Sequence, residues 1–311
     1  MRLYSGTSDL RAMQALTQRL GPRDARWHIG ELVWYRYATL PPAAPGRAPE
    51  DLDRDPSLPT ALWERDGEIA AWAWVDRPAE LSLHHDPAYP ELVDEILRWF
   101  DETAQGDRRT VTVLDAETDL IDALRRHGYR EETGTGDEEG HHDEDPFFIH
   151  LRRDLAGLPE PVVPAGYTLR PVRDERDAAV RAAAHRAAFS RPDAPSKVTE
   201  ASYARMMGIW PYRTDLDWLV EASDGTPVAF CLVWPDEHNR EAVLEPVGTD
   251  PGHRRLGLAS AAILGALHTA RGLGMETARV AARGDEAYPS ARATYRSLGF
   301  RRTGRNVDFV R

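Results

Sequence analysis

The sequence predicts an α/β chain of two tandem halves, with a ligand-binding loop only in the second. Three observations predict this. The chain has 311 residues, long for one small α/β domain and suited to two. Its C-terminal part reads strand, basic loop, long helix, strand, short helix, strand. Its N-terminal part repeats that order with the basic loop replaced.

In the first half, Arg2 to Ser5 reads as a short strand. Thr7-Ser-Asp9 offers a cap for a helix carrying Leu10, Met13, Leu16 and Leu20. Trp27 to Tyr37 crowds Trp27, Trp34, Tyr35 and Tyr37 into one helix, whose aromatic side is either core or the wall of a cleft. Leu40 to Pro59, rich in Pro and acid, is a loop. Thr60 to Glu64 and Glu68 to Val75 form a hairpin around Asp66-Gly67, and Glu80 to His85 is a further strand. After Asp86-Pro-Ala-Tyr-Pro90 come a helix from Glu91 to Thr103, a strand from Thr110 to Val113 and a helix from Thr118 to His127. Gly128-Tyr129 opens another strand, and Phe147 to Arg152 is the last strand of this half. The sequence thus divides into 1–153, a Pro-rich linker 154–165 and 166–311.

The second half opens with a strand from Gly166 to Val172 and an Ala-rich helix from Glu175 to Phe189. Thr199 caps a second helix, and Trp218 to Ala222 with Pro227 to Trp234 form a hairpin around Asp224-Gly225. Glu241 to Thr249 is the next strand. Asp250-Pro251-Gly252 ends it, since Pro has no N–H for a ladder and Gly permits a turn. From Gly257 on, Leu258, Ala261, Ala262, Leu264 and Leu267 recur at helical spacing. Between strand and helix lies Arg254-Arg255-Leu256-Gly257-Leu258-Ala259.

Free N–H groups at a helix start, with the positive end of the macrodipole, make an anion site. Gly257 and Ala259 let a phosphate approach the backbone, and Arg254 and Arg255 add charge. The spacing is neither the three-glycine dinucleotide pattern nor the lysine-containing nucleotide loop. Taken alone, six such residues also read as a helix start with a basic cap. A second segment weighs against that. In Tyr288-Pro-Ser-Ala-Arg-Ala-Thr-Tyr-Arg-Ser-Leu-Gly-Phe300, Pro289 suits a first helical turn and Gly299 a C-terminal cap. Thr277 to Ala282 reads as the strand before it.

Together, the Arg-x-x-Gly-x-Ala loop and the Tyr-x-x-x-Gly-Phe ending resemble the pyrophosphate loop and last helix of the GCN5-related N-acetyltransferases (GNAT superfamily). The resemblance implies an α/β (α+β) fold class: two tandem GNAT folds, each a mixed, mostly antiparallel central sheet flanked by helices. Tandem members such as mycothiol synthase pair one active half with one degenerate half. The first half fits the degenerate role. Asp86 to Pro90 carries no Arg and no Gly, and Leu124 stands where the second half has Tyr295.

The resemblance also implies roles. Val247, Gly248 and Thr249 would offer backbone groups to the pantetheine arm and acyl carbonyl, where the strand splays from its neighbour at a bulge. Arg254, Arg255, Leu256, Gly257, Leu258, Ala259 and Ser260 would cradle the pyrophosphate of acetyl-CoA. Tyr288 stands where the family often has an Asn bonding the coenzyme arm, a departure in which a Tyr hydroxyl is the substitute donor. Tyr295 matches the general acid, a phenol of pKa about 10 that protonates the departing thiolate. Its alternative is a core phenol with a satisfied hydroxyl.

Glu245 is the candidate base or amine-binding carboxylate, against the plainer reading of a charge at the cleft mouth. Alternation puts it on one face with Val247, and Glu241 shares that face as a weaker candidate. His253 lies in the loop and is expected to face solvent. Met206, Met207, Trp210 and Tyr212, with Trp34 of the first half, are candidate acceptor contacts, and core packing is the alternative for each.

Composition bounds the partners. With 39 basic and 51 acidic residues the net charge is -12, which argues against nucleic acid and suits a cationic amine. The single cysteine, Cys231, excludes an internal disulfide and fits a reducing cytosol; its neighbours Val228 to Trp234 read as a buried strand. No apolar run approaches the roughly 18 residues of a membrane span, and the N-terminus lacks an apolar signal core. Acidic residues with His141 and His142 between Glu131 and Asp145 read as a solvated loop and not a metal site. The expectation is a cytoplasmic acetyl-CoA-dependent N-acetyltransferase, monomer or homodimer, acting on a small cationic amine without a metal. A non-catalytic acyl-CoA sensor, or an acyltransferase using a longer acyl chain or an alcohol acceptor, stays open beside it.

Overall fold

The computed structural model describes residues 1–21, 26–38, 58–76, 78–132, 147–191 and 194–311. The stretch with His141 and His142, and nearly all of the loop expected from Leu40 to Pro59, lie outside them. The first half contributes β1 (Arg2–Leu3), α1 (Thr7–Leu20), α2 (Ile29–Tyr37), β2 (Thr60–Arg65), β3 (Glu68–Asp76), β4 (Glu80–His85), α3 (Leu92–Thr103), β5 (Thr110–Leu114), α4 (Thr118–Arg126), β6 (Arg130–Glu131) and β7 (Phe148–Asp154). The second contributes β8 (Tyr167–Pro171), α5 (Ala178–Phe189), α6 (Glu200–Met207), β9 (Asp217–Ala222), β10 (Pro227–Asp236), β11 (Glu241–Thr249), α7 (Leu258–Gly272), β12 (Thr277–Arg283), α8 (Pro289–Ser297) and β13 (Arg301–Val310). No described helix is long and apolar enough to cross a membrane.

Local chemistry sets the helix starts. Thr199 caps α6 as expected, its hydroxyl accepting from Ser202 N while Ser202 Oγ accepts from Thr199 N. His28 does the same for α2 with an imidazole: Nδ1 accepts from Gly30 N, and the Glu31 carboxylate accepts from His28 N at 2.8 Å. The cap expected of Thr7-Ser-Asp9 is displaced. Gly6 takes the cap position of α1, and Asp9 folds back to accept from Ser5 N at 2.6 Å.

The described strands form one sheet in the order β1-β2-β3-β4-β5-β13-β7-β12-β11-β10-β9-β8, with β6 on β13. This corrects the place of the strand expected to finish the first half. β7 pairs along its whole length with β12, from Phe148 opposite Arg283 to Asp154 opposite Thr277. In return β13 starts beside β7, then crosses to β5, from Asn306 opposite Leu114 to Val310 opposite Thr110. Ile149 and Leu151 accordingly fill the core of the second half, and Val307 and Phe309 that of the first. An alternating strand completes either sheet equally well, so its own residues do not say which one it joins.

Among the described residues, only two strand pairs are parallel. β4 and β5 pair at Glu80–Thr110 and Leu81–Val111, and β11 and β12 pair from Glu241–Thr277 to Val243–Arg279. Beyond these residues no further pairing between the two partners is found among the described residues, and each couple opens like a V. One core lies under α7 and α8 and another under α3 and α4. A third is shared by the halves, where Met13, Trp34 and Tyr37 meet Tyr203, Met206 and Trp234.

Candidate active site

The V between β11 and β12 contains an irregularity that sequence alternation does not foresee. Cys231 lies opposite Val247 and Val233 opposite Leu244, so three steps on β11 face two on β10. The extra residue forms a bulge at Glu245-Pro246. Val247 therefore joins Cys231, Val233 and Leu244 in packing against the core under α7, while Val243 packs in the shared core with Trp234. The expectation that Glu245 and Val247 share one face is corrected: the bulge inverts the alternation between them. The indole Nε1 of Trp234 donates to the Glu245 carbonyl at 2.6 Å.

Glu245 is half-buried, and its carboxyl is pushed up to about 8, first by burial and then by the charge of Glu31 on α2. Tyr295 is 6% exposed on α8, its phenol held well above the ordinary value by burial, with the charges of Cys231 and Glu245 adding to the effect. The bulge thus brings together a carboxyl poised near neutrality, a phenol that stays protonated and a buried thiol. Burial also pushes the Cys231 thiol up, so it stays an inert member of the core. Burial raises the Tyr35 phenol of α2 as well, and the charges of Glu245, Glu31 and Glu80 raise it further against that of Arg26.

The basic loop is built as a cradle. Arg254 to Gly257 are exposed, Leu258 is buried as the first residue of α7, and Ala259 and Ser260 are half-buried. Arg255 and Gly257 both have positive φ, 65° and 79°. A Cβ at Gly257 would meet no other atom within 4 Å, so Gly is needed there for its backbone conformation and the space in front is open. Gly248 answers a different need, because its Cβ would fall 2.5 Å from the Phe230 ring and 2.8 Å from Ala188. The Arg254 guanidinium donates to the Thr249 and Ala188 carbonyls at 3.3 and 3.4 Å, which holds its charge between the ends of β11 and α5. An acyl-CoA diphosphate fits this arrangement of open space, αL turn and cations. Val247, Gly248 and Thr249 lead into the cradle, half-buried, on the side of β11 that has left β12.

Other expected residues lie elsewhere. Glu241 is buried beneath ion pairs to Arg152 at 3.1 Å and Arg279 at 3.7 Å, which commits it to joining strands. His253 is half-buried with Nδ1 against the Tyr167 hydroxyl at 3.0 Å, and does not simply face solvent. Tyr288 is exposed at the start of α8, its ring under the Arg283 guanidinium at 4.1 Å. Met206 is fully buried in the shared core, and Tyr212 gives its hydroxyl proton to Asp217 at 3.0 Å. Trp34 is buried against His185, while Trp210 is exposed with the Arg11 guanidinium 3.5 Å over its ring. Sequence reasoning missed Glu31 and Trp234. The first reads as an ordinary capping acid and the second as one more apolar strand residue.

A cavity of about 790 Å³ lies in the other V, lined among others by His84, His85, Glu117, Asp119, Arg152 and Arg240. No cluster able to hold a metal ion occurs among the described residues.

Residues 184–300 match the family model described as acetyltransferase (GNAT) family. The match spans less than half of the chain, from within α5 to just past α8. It takes in the bulge, the cradle and Tyr295. Solved structures extend the likeness of fold over both halves. A GCN5-related N-acetyltransferase from Sphaerobacter thermophilus is 21% identical with a TM-score of 0.57, covering 93% of this chain and 96% of its own. A tandem GNAT protein from the clavulanic acid biosynthesis pathway is 18% identical with a TM-score of 0.60, covering 98% and 94%. A GNAT-family acetyltransferase from Colwellia psychrerythraea is 14% identical with a TM-score of 0.59, covering 99% and 98%. No curated protein matches the chain. The chain therefore shares the fold of a tandem GNAT protein, and the family match of its second half supports acyl transfer from an acyl-CoA as the general activity.

Proposed function

We propose that the protein is an acetyl-CoA-dependent N-acetyltransferase acting on the primary amine of a small cationic molecule. The observation that carries this is the meeting of Glu245, with its carboxyl raised to about 8, and the protonated Tyr295 phenol at the bulge. An ordinary Glu, of pKa about 4.3, is a poor acceptor for the proton of an alkylammonium of pKa about 10.4. A carboxyl raised toward 8 narrows that gap, as a general base near working pH should.

The diphosphate rests in the Arg254–Ser260 cradle and the pantetheine arm runs along Val247–Thr249, with Tyr288 at its edge. The acyl carbon then lies in the V. Glu245, as carboxylate, takes a proton from the ammonium, directly or through one water. The amine nitrogen attacks, and backbone N–H groups of β11 stabilise the oxyanion. As the C–S bond breaks, Tyr295 gives its proton to the sulfur, and the extra proton on the amide nitrogen passes to the phenolate. Glu245 releases the proton it took to solvent, so that a neutral amide and a free thiol leave. The cationic preference follows from the acids on the α2 side, Glu31, Glu80 and Glu245, and from the net charge of -12.

Thiol release from acetyl-CoA, followed over a panel of mono- and dicationic primary amines and matched alcohols, tests this reading. Turnover should be confined to amines and favour dications. One observation favours a second reading, a non-catalytic acyl-CoA sensor: Tyr288, standing where the resemblance implies an Asn for the coenzyme arm, has its ring engaged by Arg283. Coenzyme binding with no thiol release on any member of the panel would support the sensor instead.

A further inference from the structure

The bulge that positions Glu245 is held by one side chain, Trp234, and Trp234 is held from the first half. Its indole is fully buried. On one side lies Gly30 of α2, where a Cβ would fall 2.2 Å from both Cβ and Cγ of Trp234 and 2.6 Å from Cδ2. No side chain fits there, so the helix backbone lies directly on the indole. Gly30 is not among the glycines of positive φ, so this close approach is what demands glycine. On another side the Tyr212 ring meets the indole edge-on, 6.0 Å between centroids and 71° between planes. The Tyr212 hydroxyl is fixed by Asp217 at 3.0 Å, and Asp217 by Arg181 at 2.7 Å, both fully buried. Clamped in this way, the indole presents Nε1–H to the Glu245 carbonyl at 2.6 Å. Glu245 has no opposite residue in the β10 register, so the indole supplies a partner that the ladder does not.

We infer that the first half is a buttress for acetyl transfer: α2, seated through Gly30 on Trp234, fixes the indole whose N–H sets the bulge at Glu245. This rests on the proposed role of Glu245 and of the β11 backbone. Trp234 and Gly30 are positioning residues, since neither touches the reacting groups. The bulge decides which way the Glu245 side chain points and which backbone groups of Val247 to Thr249 face the open V. A loosened indole changes both while leaving the cradle, a separate loop on α7, in place.

The test separates the two parts of the coenzyme. Binding of acetyl-CoA and of 3′-phosphoadenosine 5′-diphosphate, its diphosphate half, is measured by calorimetry on the full chain. Trp234→Phe keeps an aromatic ring and removes the N–H. It should weaken acetyl-CoA about tenfold, the scale of one hydrogen bond and its consequences, and leave the diphosphate half within about twofold. Gly30→Ala should do the same, and the double variant should lose less than the sum, because both changes act through one indole. If Gly30→Ala does not fold, Trp234→Phe carries the test.

An independent readout is the titration of the Glu245 carboxyl by carbon NMR, assigned by its loss in Glu245→Gln. The wild-type midpoint near 8 should move toward the ordinary carboxylate range in Trp234→Phe. An unchanged midpoint together with unchanged acetyl-CoA affinity would overturn the buttress. If the wild-type chain binds neither probe, the acetyl-transfer reading falls instead, and the titration alone decides the buttress.

Discussion

The two V-shaped openings can be compared almost residue by residue. Both arise where a parallel pair parts after a short register, β4 from β5 and β11 from β12. In the second half, β11 bulges at Glu245, the next loop bears two arginines and an αL glycine, and the buried Tyr295 of α8 lies within electrostatic reach of Glu245. In the first half, β4 runs beside β3 in unbroken register from Asp76–Glu80 to Ala71–His85, so no bulge turns its backbone. The loop after it is Asp86-Pro87-Ala88-Tyr89-Pro90, with Asp86 paired to Arg19 at 2.6 Å. Leu124, fully buried, takes the place of the phenol. A cavity persists there, with a His84 imidazole that burial pushes down to about 3 and a Glu117 carboxyl that burial pushes up to about 7. Topology alone preserves an opening. Acyl-CoA chemistry needs a bulge, a cationic N–H-bearing turn and a proton donor in addition.

The largest expected effect breaks the comparison by separating the halves. A fragment of residues 160–311 loses β7 and strips β12 of its ladder from Thr277 to Arg283, leaving only Thr277 to Arg279 paired, with β11. It should fail to fold and to bind acetyl-CoA, read by circular dichroism and calorimetry; a folded, binding fragment would mean that β7 is dispensable. Next, Tyr295→Phe makes the second opening resemble the first at one atom. Turnover should fall about 10²–10⁴-fold with acetyl-CoA affinity nearly unchanged, and equal turnover would remove the acid role. Arg254→Glu gives the second loop the acidity of the first. It should weaken acetyl-CoA about tenfold or more, since charge-assisted contacts to phosphate are among the stronger hydrogen bonds, and unchanged affinity would move the diphosphate elsewhere.

The smallest effect concerns pH. The Glu245 carboxyl is raised from 4.5 to about 8, so the folded chain holds a proton that the unfolded chain releases between those values. The stability contributed by the neutral form is complete below about 4.5, declines as pH rises and is lost once pH passes about 8. Glu245→Gln should flatten that decline in melting temperature measured across the range. A wild-type slope that survives the substitution would assign it to another group.

Much of this was legible in the sequence where the signal is local. The strand Glu80–His85, the Asp66-Gly67 turn, the Thr199 cap and the helix start at Gly257 each follow from residues adjacent in the chain. The basic loop before α7 and the place of Tyr295 on α8 were visible for the same reason, since a short motif fixes both. The face of Val247 was not, because a bulge depends on how the neighbouring strand fits. Met206 and Tyr212 show the same limit from the other side: apolar and aromatic residues between helices look alike whether they line a pocket or fill a core. Trp234 could be seen to be buried, but its bond to the Glu245 carbonyl and its contact with Gly30 join positions far apart in the chain.

The reciprocal crossing of β7 and β13 makes the halves poor cassettes for exchange. A chimera spliced at the linker would carry one parent's strand into the other parent's sheet at two places. Substitutions along that double seam must be tolerated jointly, so a half that lacks the basic loop still cannot drift freely or be discarded.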